Sequence, residues 1–206
     1  MSYDSNFKPS NDALYRPVAT MPSDTVVLRA QNIKLLILDV DGVLTTGYLD
    51  YDAKGEVVKS FYVQDGLGLQ LLREQGIQLA IISGRDSPVT AARAEDLKIH
   101  HVLQGAQDKG AALANLLKTA GVALSECAYI GDDVIDLPIL RAVGLAVSVP
   151  NGPHLARLAA HWVTAQSGGA GAVRELSELI LFAQDKLLAA YAPYLGADIS
   201  PKLEIV

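Results

Sequence analysis

The sequence predicts an α/β protein with a doubly wound, mostly parallel sheet of the Rossmann-like type. Short apolar runs alternate with helical patterns along most of the chain. The first run, residues 33–38, is apolar at nearly every position, as in a parallel strand that is buried on both faces. Acidic residues closely follow two of the apolar runs, at the edge of the sheet where such folds bind ligands.

The remaining elements follow from the period of the apolar residues. Residues 45–62, directly after the first strand, carry aromatic and β-branched residues around a turn at 52–55, which predicts a β-hairpin. In chain order, the other predicted elements are strand 77–82, helix 88–97, strand 101–103, helix 108–120, strand 127–130, helix 134–142, strand 145–149, helix 153–160 and helix 173–190.

Length and composition indicate one domain. Of the 206 residues, 50% are hydrophobic, and the mean hydropathy is +0.23, which is enough for a large core. Residues 1–30 are polar and proline-containing, so we expect a flexible N-terminal extension with a short helix near 25–32. Residues 31–190 would form the single domain and residues 191–206 a C-terminal tail.

Charge and cysteine content exclude several classes of protein. The formal net charge of -6 disfavours a nucleic-acid-binding protein. No apolar run reaches the length of a membrane span or a signal peptide, so we expect a cytoplasmic protein without membrane contact. The single cysteine, Cys127, excludes an intrachain disulfide and is typical of a buried strand residue.

Side chains that suit a metal and a phosphate follow the predicted strands. Asp39 and Asp41 end the first strand, and their side chains point the same way because they are two positions apart. Carboxylates suit Mg²⁺, whereas a hydroxyl, a lysine and helix N-termini suit a phosphoryl group. Two aspartates alone would fit an ordinary turn equally well. The further candidates at the same edge are Ser83, Arg85, Lys109, Asp132, Asp133 and Asp136.

Four motifs, DVDGVLT, IISGR, DKG and GDDVID, occur in this order and resemble those of the haloacid dehalogenase-like phosphatase superfamily. The resemblance implies that Asp39 is the nucleophile, which forms an aspartyl-phosphate, and that Asp41 is the general acid and base. It implies a Mg²⁺ cofactor held by the carboxylates of Asp39 and Asp132 and by the backbone carbonyl of Asp41. Ser83 and Lys109 would hold the phosphoryl oxygens.

The resemblance also places Asp133 and Asp136 behind the metal ligands, with Asp136 orienting Lys109. Many members carry a cap domain after the first or the second motif. Here 44 positions separate Asp39 from Ser83 and 26 separate Ser83 from Lys109, which leaves no room for a cap. An open site of this kind takes a macromolecular substrate or is covered by a neighbouring subunit.

Residues 33–190 resemble one capless family, the 3-deoxy-D-manno-octulosonate 8-phosphate phosphatases, in stretches such as GEVVKSFYVQDGLGLQLL and HHVLQGAQDKGAAL. The resemblance implies hydrolysis of this sugar-acid phosphate to 3-deoxy-D-manno-octulosonate and phosphate for lipopolysaccharide biosynthesis. It implies a homotetramer with sites between subunits, where the tail, residues 191–206, can enter a neighbour's site. By position, the substrate contacts would be Asp41, Tyr62, Val63, Gln64, Asp65, Gly66, Gln70, Arg85, Arg93 and Lys109.

Three alternatives stay open at the level of sequence. Tyr62 and Gln70 stand where the family usually carries a small polar and a basic residue, so another sugar phosphate, such as a nine-carbon sialic-type sugar 9-phosphate, is possible. Arg85 favours the octulosonate, because phosphatases of the nine-carbon sugar tend to carry Glu there. A signalling receiver domain has similar residues but keeps its phosphorylated aspartate after the third strand. A non-catalytic scaffold would not need the intact motifs.

Overall fold

The fold is built around a parallel β-sheet. The computed structural model describes residues 10–15, 17, 21–53 and 55–195. The strands are β1 (Leu35–Leu38), β2 (Asp50–Asp52), β3 (Gly55–Val58), β4 (Gln78–Ile82), β5 (His101–Leu103), β6 (Cys127–Ile130), β7 (Leu145–Ser148) and β8 (Trp162–Val163). Six of them form one sheet in the order β5-β4-β1-β6-β7-β8, and every neighbouring pair is parallel. The predicted α/β class is confirmed.

Helices cover both faces of this sheet. They are α1 (Asn11–Leu14), α2 (Asp24–Ala30), α3 (Val63–Glu74), α4 (Pro88–Asp96), α5 (Lys109–Ala120), α6 (Leu137–Leu140), α7 (His154–Ala159), α8 (Ala172–Ala183) and α9 (Leu187–Leu195). Single 3-10 turns precede β6 and α6, at Leu124–Glu126 and Val134–Asp136. A bilayer crossing would need a helix longer and more apolar than any in the described ranges.

The central strand β1 joins two hydrophobic cores. Leu36 and Leu38 face a core that includes side chains of α3 and α8, whereas Leu35 and Ile37 face a core that includes side chains of α5 and α6. Because successive side chains of a strand point to opposite faces, burial on both faces requires an unbroken apolar run. β1 pairs with β4 and β6 in parallel register, so all three strands end at one edge of the sheet.

The predicted hairpin is confirmed in a shorter form. β2 and β3 pair antiparallel in a sheet of their own, and residue 54 of the turn lies outside the described residues. Between β1 and β4 the described residues form this hairpin and α3, in agreement with the prediction that no cap domain is inserted.

Two helical predictions need correction. α3 was not predicted, because Asp65, Gly66 and Gly68 weaken the helical pattern of its sequence. The single helix predicted at 173–190 is divided into α8 and α9. The break falls at Asp185, whose φ of 57° lies in the left-handed region that ends helices.

The edges and one connection also differ in detail from the prediction. The helix predicted at 134–142 is a 3-10 turn followed by the short α6, which has a proline in its first turn. β8, which contains Trp162, was not predicted and adds an edge strand of two residues beside β7. The opposite edge strand, β5, has three residues.

The described part of the N-terminal segment packs on the domain. The ring of Tyr15 stacks on that of Phe182 with the centroids 4.4 Å apart. The short helix predicted in this segment is confirmed as α2, and its last residue, Ala30, is fully buried. The flexible extension, the domain limits and the tail stay predictions, since residues 1–9 and 196–206 lie outside the described residues.

Candidate active site

The candidate site begins where β1 ends. The backbone N–H of Asp39 donates a hydrogen bond to the carbonyl of Ile130 at 3.0 Å, so the sheet still fixes the residue. Only 5% of Asp39 is exposed. The chain then turns sharply, and the carbonyl of Val40 accepts hydrogen bonds from three backbone N–H groups, those of residues 43–45. This tight turn gives Asp39 and the following loop a defined position at the edge of the sheet.

A buried lysine links two of the predicted aspartates. The Nζ atom of Lys109 donates to Oδ1 of Asp39 and to Oδ1 of Asp136, both at 2.6 Å. The hydroxyl of Tyr129, which comes from β6, also donates to Oδ1 of Asp136 at 2.6 Å. Asp108 caps α5 by accepting from the N–H of Ala111 at 3.0 Å, which fixes the start of the helix that carries Lys109. The predicted convergence of these side chains is therefore present.

Three carboxylates lie close enough to share one cation. Asp39, Asp132 and Asp136 each have a carboxylate oxygen within 4.8 Å of the other two. Both oxygens of Asp136 already accept hydrogen bonds, Oδ1 from Lys109 and Tyr129 and Oδ2 from the backbone N–H of Asp133 at 3.0 Å. Asp136 is therefore well placed to orient Lys109, and Asp39 and Asp132 stay the predicted carboxylate ligands of the metal.

Burial and mutual repulsion shift the pKa values of the clustered groups. Burial raises the pKa of Asp39; Lys109 opposes the rise, and repulsion from Asp136 adds to it. Burial, together with repulsion from Asp39 and Asp136, raises the pKa of Asp132 to about 8. Burial lowers the pKa of Lys109, but Asp39 and Asp136 more than offset this and hold it above its usual value. A divalent cation would relieve the repulsion between the carboxylates, so the donor set fits Mg²⁺.

A glycine leaves room for Asp132, the second predicted metal ligand. Gly42 has a φ of +97°, and a Cβ atom placed there would lie 2.1 Å from Oδ2 of Asp132. Any side chain at this position would therefore displace the Asp132 carboxylate as well as strain the backbone.

Ser83 lies at the end of β4 and is buried. Its backbone N–H donates to the carbonyl of Leu103 at 2.9 Å, and its hydroxyl accepts from the N–H of Arg85 at 3.3 Å. The three described strands β1, β4 and β6 thus deliver Asp39, Ser83 and the loop with Asp132 to the same edge, as predicted for a parallel sheet.

Asp41 is held by two cations. Its Oδ1 atom forms a short ion pair with Nζ of Lys59, whose side chain is only 1% exposed. Its Oδ2 atom lies 3.8 Å from Nε of Arg85. Arg85 in turn donates to the hydroxyl of Tyr51 at 2.5 Å. The carboxylate of Asp41 is therefore oriented by these two contacts, and its role as a metal ligand through the backbone carbonyl stays a prediction.

Some of the predicted substrate contacts are exposed at the surface, whereas others already contact neighbouring side chains. Tyr62, Val63 and Gln64 are exposed at the start of α3, where a ligand can reach them. Arg93 lies over the ring of Phe61, with Cζ 5.8 Å from the centroid.

Arg93 is also close to Gly66 and pairs with Asp96. A Cβ atom on Gly66 would lie 2.4 Å from Nη2 of Arg93. The Nη1 atom of Arg93 lies 2.6 Å from Oδ2 of Asp96. Gln70 donates to Oε1 of Glu74 at 2.8 Å on the same helix.

Two other predicted residues have partners away from the acidic cluster. Asp65 is 1% exposed, and its Oδ1 atom accepts from the backbone N–H of Arg174 at 2.7 Å, which joins α3 to the start of α8. Asp133 accepts from the N–H of Val134 at 2.6 Å and caps the 3-10 turn. The structure therefore gives both carboxylates structural partners, and their proposed functional roles stay predictions.

Sequence reasoning missed two residues of the site. Lys59 follows the exposed hairpin, and nothing in its local pattern distinguishes it from a solvated lysine. Tyr129 lies in a fully buried strand, where an aromatic ring is most often part of the core. Only its hydroxyl, which needs a partner when buried, could have indicated a polar neighbour.

The fold and the site define a class of protein, the haloacid dehalogenase-like hydrolases. The family model described as haloacid dehalogenase-like hydrolase matches residues 90–176, which include Lys109 and the acidic residues after β6.

Two curated relatives identify the family of this chain within that class. The 3-deoxy-D-manno-octulosonate 8-phosphate phosphatase of Haemophilus influenzae is 48% identical over 158 residues, which cover 77% of this chain and 88% of the relative. That of Yersinia pestis is 46% identical over 179 residues, covering 87% and 94%. The chain therefore belongs to the family of 3-deoxy-D-manno-octulosonate 8-phosphate phosphatases.

A solved structure agrees with this relationship. The crystal structure of the Moraxella catarrhalis 3-deoxy-D-manno-octulosonate 8-phosphate phosphatase, in complex with a magnesium ion, a phosphate ion and a KDO molecule, has a TM-score of 0.80 and 48% identity to this chain. The match covers 82% of this chain and 97% of that one.

Proposed function

We propose that this protein hydrolyses 3-deoxy-D-manno-octulosonate 8-phosphate to 3-deoxy-D-manno-octulosonate and phosphate through an aspartyl-phosphate on Asp39. The observation that carries the proposal is the convergence of Asp39, Asp132 and Lys109 in one buried site of a chain from this family. The sugar acid released would serve lipopolysaccharide biosynthesis.

The first half of the reaction forms a covalent intermediate. A carboxylate oxygen of Asp39 attacks phosphorus in line with the sugar oxygen, the bond between phosphorus and that oxygen breaks, and Asp41 gives the oxygen its proton. In the second half, Asp41 takes a proton from water, the water oxygen attacks phosphorus, and the bond to Asp39 breaks to release phosphate. The carboxylate of Asp39 and the proton on Asp41 are both restored.

Charge neutralisation is the main requirement of this reaction, because an anionic phosphate has to approach buried carboxylates. Asp39, Asp132 and the carbonyl of Asp41 would hold Mg²⁺, which would supply positive charge for the phosphoryl oxygens. The ammonium of Lys109 binds a phosphoryl oxygen, and Asp136 keeps this ammonium in place. The hydroxyl of Ser83 donates to another phosphoryl oxygen.

The sugar acid would be recognised by arginine. Arg85 lies beside Asp41, close to where the scissile bond has to be, and a guanidinium binds a carboxylate in a bidentate manner. Arg93 and the exposed residues 62–64 are the further contacts in this proposal.

Assembly and location complete the proposal. Without a cap, the site needs a cover, and a homotetramer with sites between subunits would supply it. The hairpin exposes Tyr48, Tyr51 and Val58, which supports its use as a contact surface between subunits. A cytoplasmic location agrees with the free, buried Cys127. Analytical ultracentrifugation tests the assembly, and cell fractionation tests the location.

Phosphate release tests the activity. With Mg²⁺ present, we expect turnover of 3-deoxy-D-manno-octulosonate 8-phosphate well above that of a nine-carbon sialic-type sugar 9-phosphate. Asp39→Asn should reduce the rate by more than about 1,000-fold because the nucleophile is lost. Asp24→Asn is the matched control and should keep wild-type activity, since this exposed carboxylate lies in the first turn of α2, outside the site. Absence of turnover, or accumulation of a stable phosphoprotein, would contradict the proposal.

A further inference from the structure

Side-chain contacts link the β-hairpin to both oxygens of the Asp41 carboxylate. Lys59 directly follows β3, and its ammonium pairs with Oδ1 of Asp41. Tyr51 lies in β2 and accepts a hydrogen bond from Arg85, whose Nε atom is 3.8 Å from Oδ2 of the same carboxylate. The hairpin is therefore linked to Asp41 directly through Lys59 and indirectly through Tyr51 and Arg85.

The two contacts differ in burial and in strength. The Lys59 side chain is 1% exposed, whereas that of Arg85 is 41% exposed. A lysine normally places its ammonium in water, because the charge loses free energy when it is buried without a partner. The burial of Lys59 against Asp41 is therefore a specific arrangement, whereas the contact of Arg85 with Asp41 is partly exposed to solvent.

The ion pair with Lys59 orients the carboxyl group of Asp41. An ammonium only donates hydrogen bonds, so Lys59 holds Oδ1 as an acceptor. This contact restricts rotation of the carboxyl group and keeps Oδ2 on the other side. That oxygen is the one nearer to Arg85, on the side where the substrate is proposed to lie.

We propose that Lys59 is a positioning residue that fixes the Asp41 carboxyl and keeps its Oδ2 atom directed towards the leaving oxygen of the substrate. The inference rests on the proposed function, in which Asp41 protonates that oxygen as its bond to phosphorus breaks. Lys59 itself contacts neither substrate nor metal in this scheme.

The leaving group provides a readout that a merely structural role would not move. A sugar alkoxide needs a proton as it leaves, whereas 4-nitrophenolate is stable enough to leave without one. General acid catalysis contributes about 100- to 10,000-fold, and a displacement of 1 Å can cost about 100-fold. Misplacement of Asp41 should therefore reduce kcat/KM for the sugar phosphate much more than for 4-nitrophenyl phosphate.

The experiment compares wild type, Lys59→Met and Lys59→Arg on both substrates with Mg²⁺. We expect Lys59→Met to lose about 30- to 100-fold in kcat/KM on the sugar phosphate and less than about threefold on 4-nitrophenyl phosphate. Lys59→Arg, which keeps a donor-only cation, should recover most of the loss. Lys34→Met is the matched control, because Lys34 is a 65% exposed lysine paired with Glu126, and both rates should stay unchanged.

The other outcomes distinguish failure of this inference from failure of the proposed function. Equal losses on both substrates, or no loss on either, would overturn the inference while leaving the proposed function intact. If wild type hydrolyses neither substrate, the proposed function itself fails. Should Lys59→Met unfold, Lys59→Gln replaces it. Its amide carries no charge and cannot form the ion pair that holds the Asp41 carboxyl, so the same selective loss is expected, and parallel losses again refute the role.

Discussion

Substitution of Gly42 by alanine tests whether the close approach between the first and last motifs is required for catalysis. The added Cβ would lie 2.1 Å from Oδ2 of Asp132, much closer than van der Waals contact permits. Asp132 is one of the two carboxylates that we assign to Mg²⁺. The substitution should therefore displace a metal ligand without removing any functional side chain.

Two effects have to be separated in this variant. Alanine in the left-handed region costs roughly 1–2 kcal/mol, which corresponds to a decrease of about 2–8 °C in melting temperature for a chain of this size. To restore ordinary contact, the Asp132 oxygen or the loop has to move by roughly 1 Å, and a displacement of that size can cost about 100-fold in rate. We therefore expect a modest loss of stability together with about a 100-fold loss in kcat/KM.

Gly76→Ala supplies the control. Gly76 has a φ of +83°, similar to that of Gly42, but a Cβ atom there would meet no atom within 4 Å apart from its immediate chain neighbours. Its backbone strain is comparable, while no metal ligand is displaced. Gly76→Ala should lose similar stability and keep its activity within about twofold.

The assay measures phosphate release at saturating and limiting Mg²⁺, with melting curves recorded for both variants. Gly42→Ala should need more Mg²⁺ for half-maximal activity than either wild type or Gly76→Ala. If Gly42→Ala retains wild-type activity and Mg²⁺ dependence, the Asp132 carboxylate does not need the position seen here. The assignment of this residue to the metal would then be wrong.

Three further predictions follow from the contacts of the site. Tyr129→Phe should lose about 1–3 kcal/mol of unfolding free energy in urea titrations because Asp136 loses a buried donor. Asp65→Ala should cost a similar amount by leaving an N–H of α8 without its acceptor, whereas a large increase in KM would instead support the predicted substrate contact. The folded pKa of Asp132, about 8, exceeds its unfolded value, so wild type loses stability as the pH rises towards 8. In EDTA at pH 9, Asp132→Asn should accordingly melt several degrees above wild type, yet added Mg²⁺ should stabilise wild type alone.

The positions of Asp39, Ser83 and Lys109 could be predicted because a parallel sheet collects the residues that follow its strands at one edge. The apolar runs were long enough to identify the strands, and the motifs follow them directly. The pairing of Asp136 with Lys109 was implied only by the resemblance to the phosphatase superfamily, and the two side chains are in contact.

Lys59 could not be predicted, because its position depends on how the hairpin folds back over the loop after β1, and no periodic pattern encodes that contact. The α3 helix was missed for a related reason. Its glycines disfavour a helix locally, but Gly68 lies against Arg174 and Ser177 of α8, where tertiary packing compensates. Asp65 likewise acquires its role only when α8 presents its first N–H groups to it.

The short outer strands of the main sheet limit how copies of this protein can associate. β5 offers three residues of backbone and β8 offers two, so an added strand would find too few hydrogen-bonding groups for durable pairing at either side. Continuous growth of the sheet into fibrils is therefore disfavoured in the folded protein. Concentrated preparations should remain free of cross-β material for as long as the native structure persists.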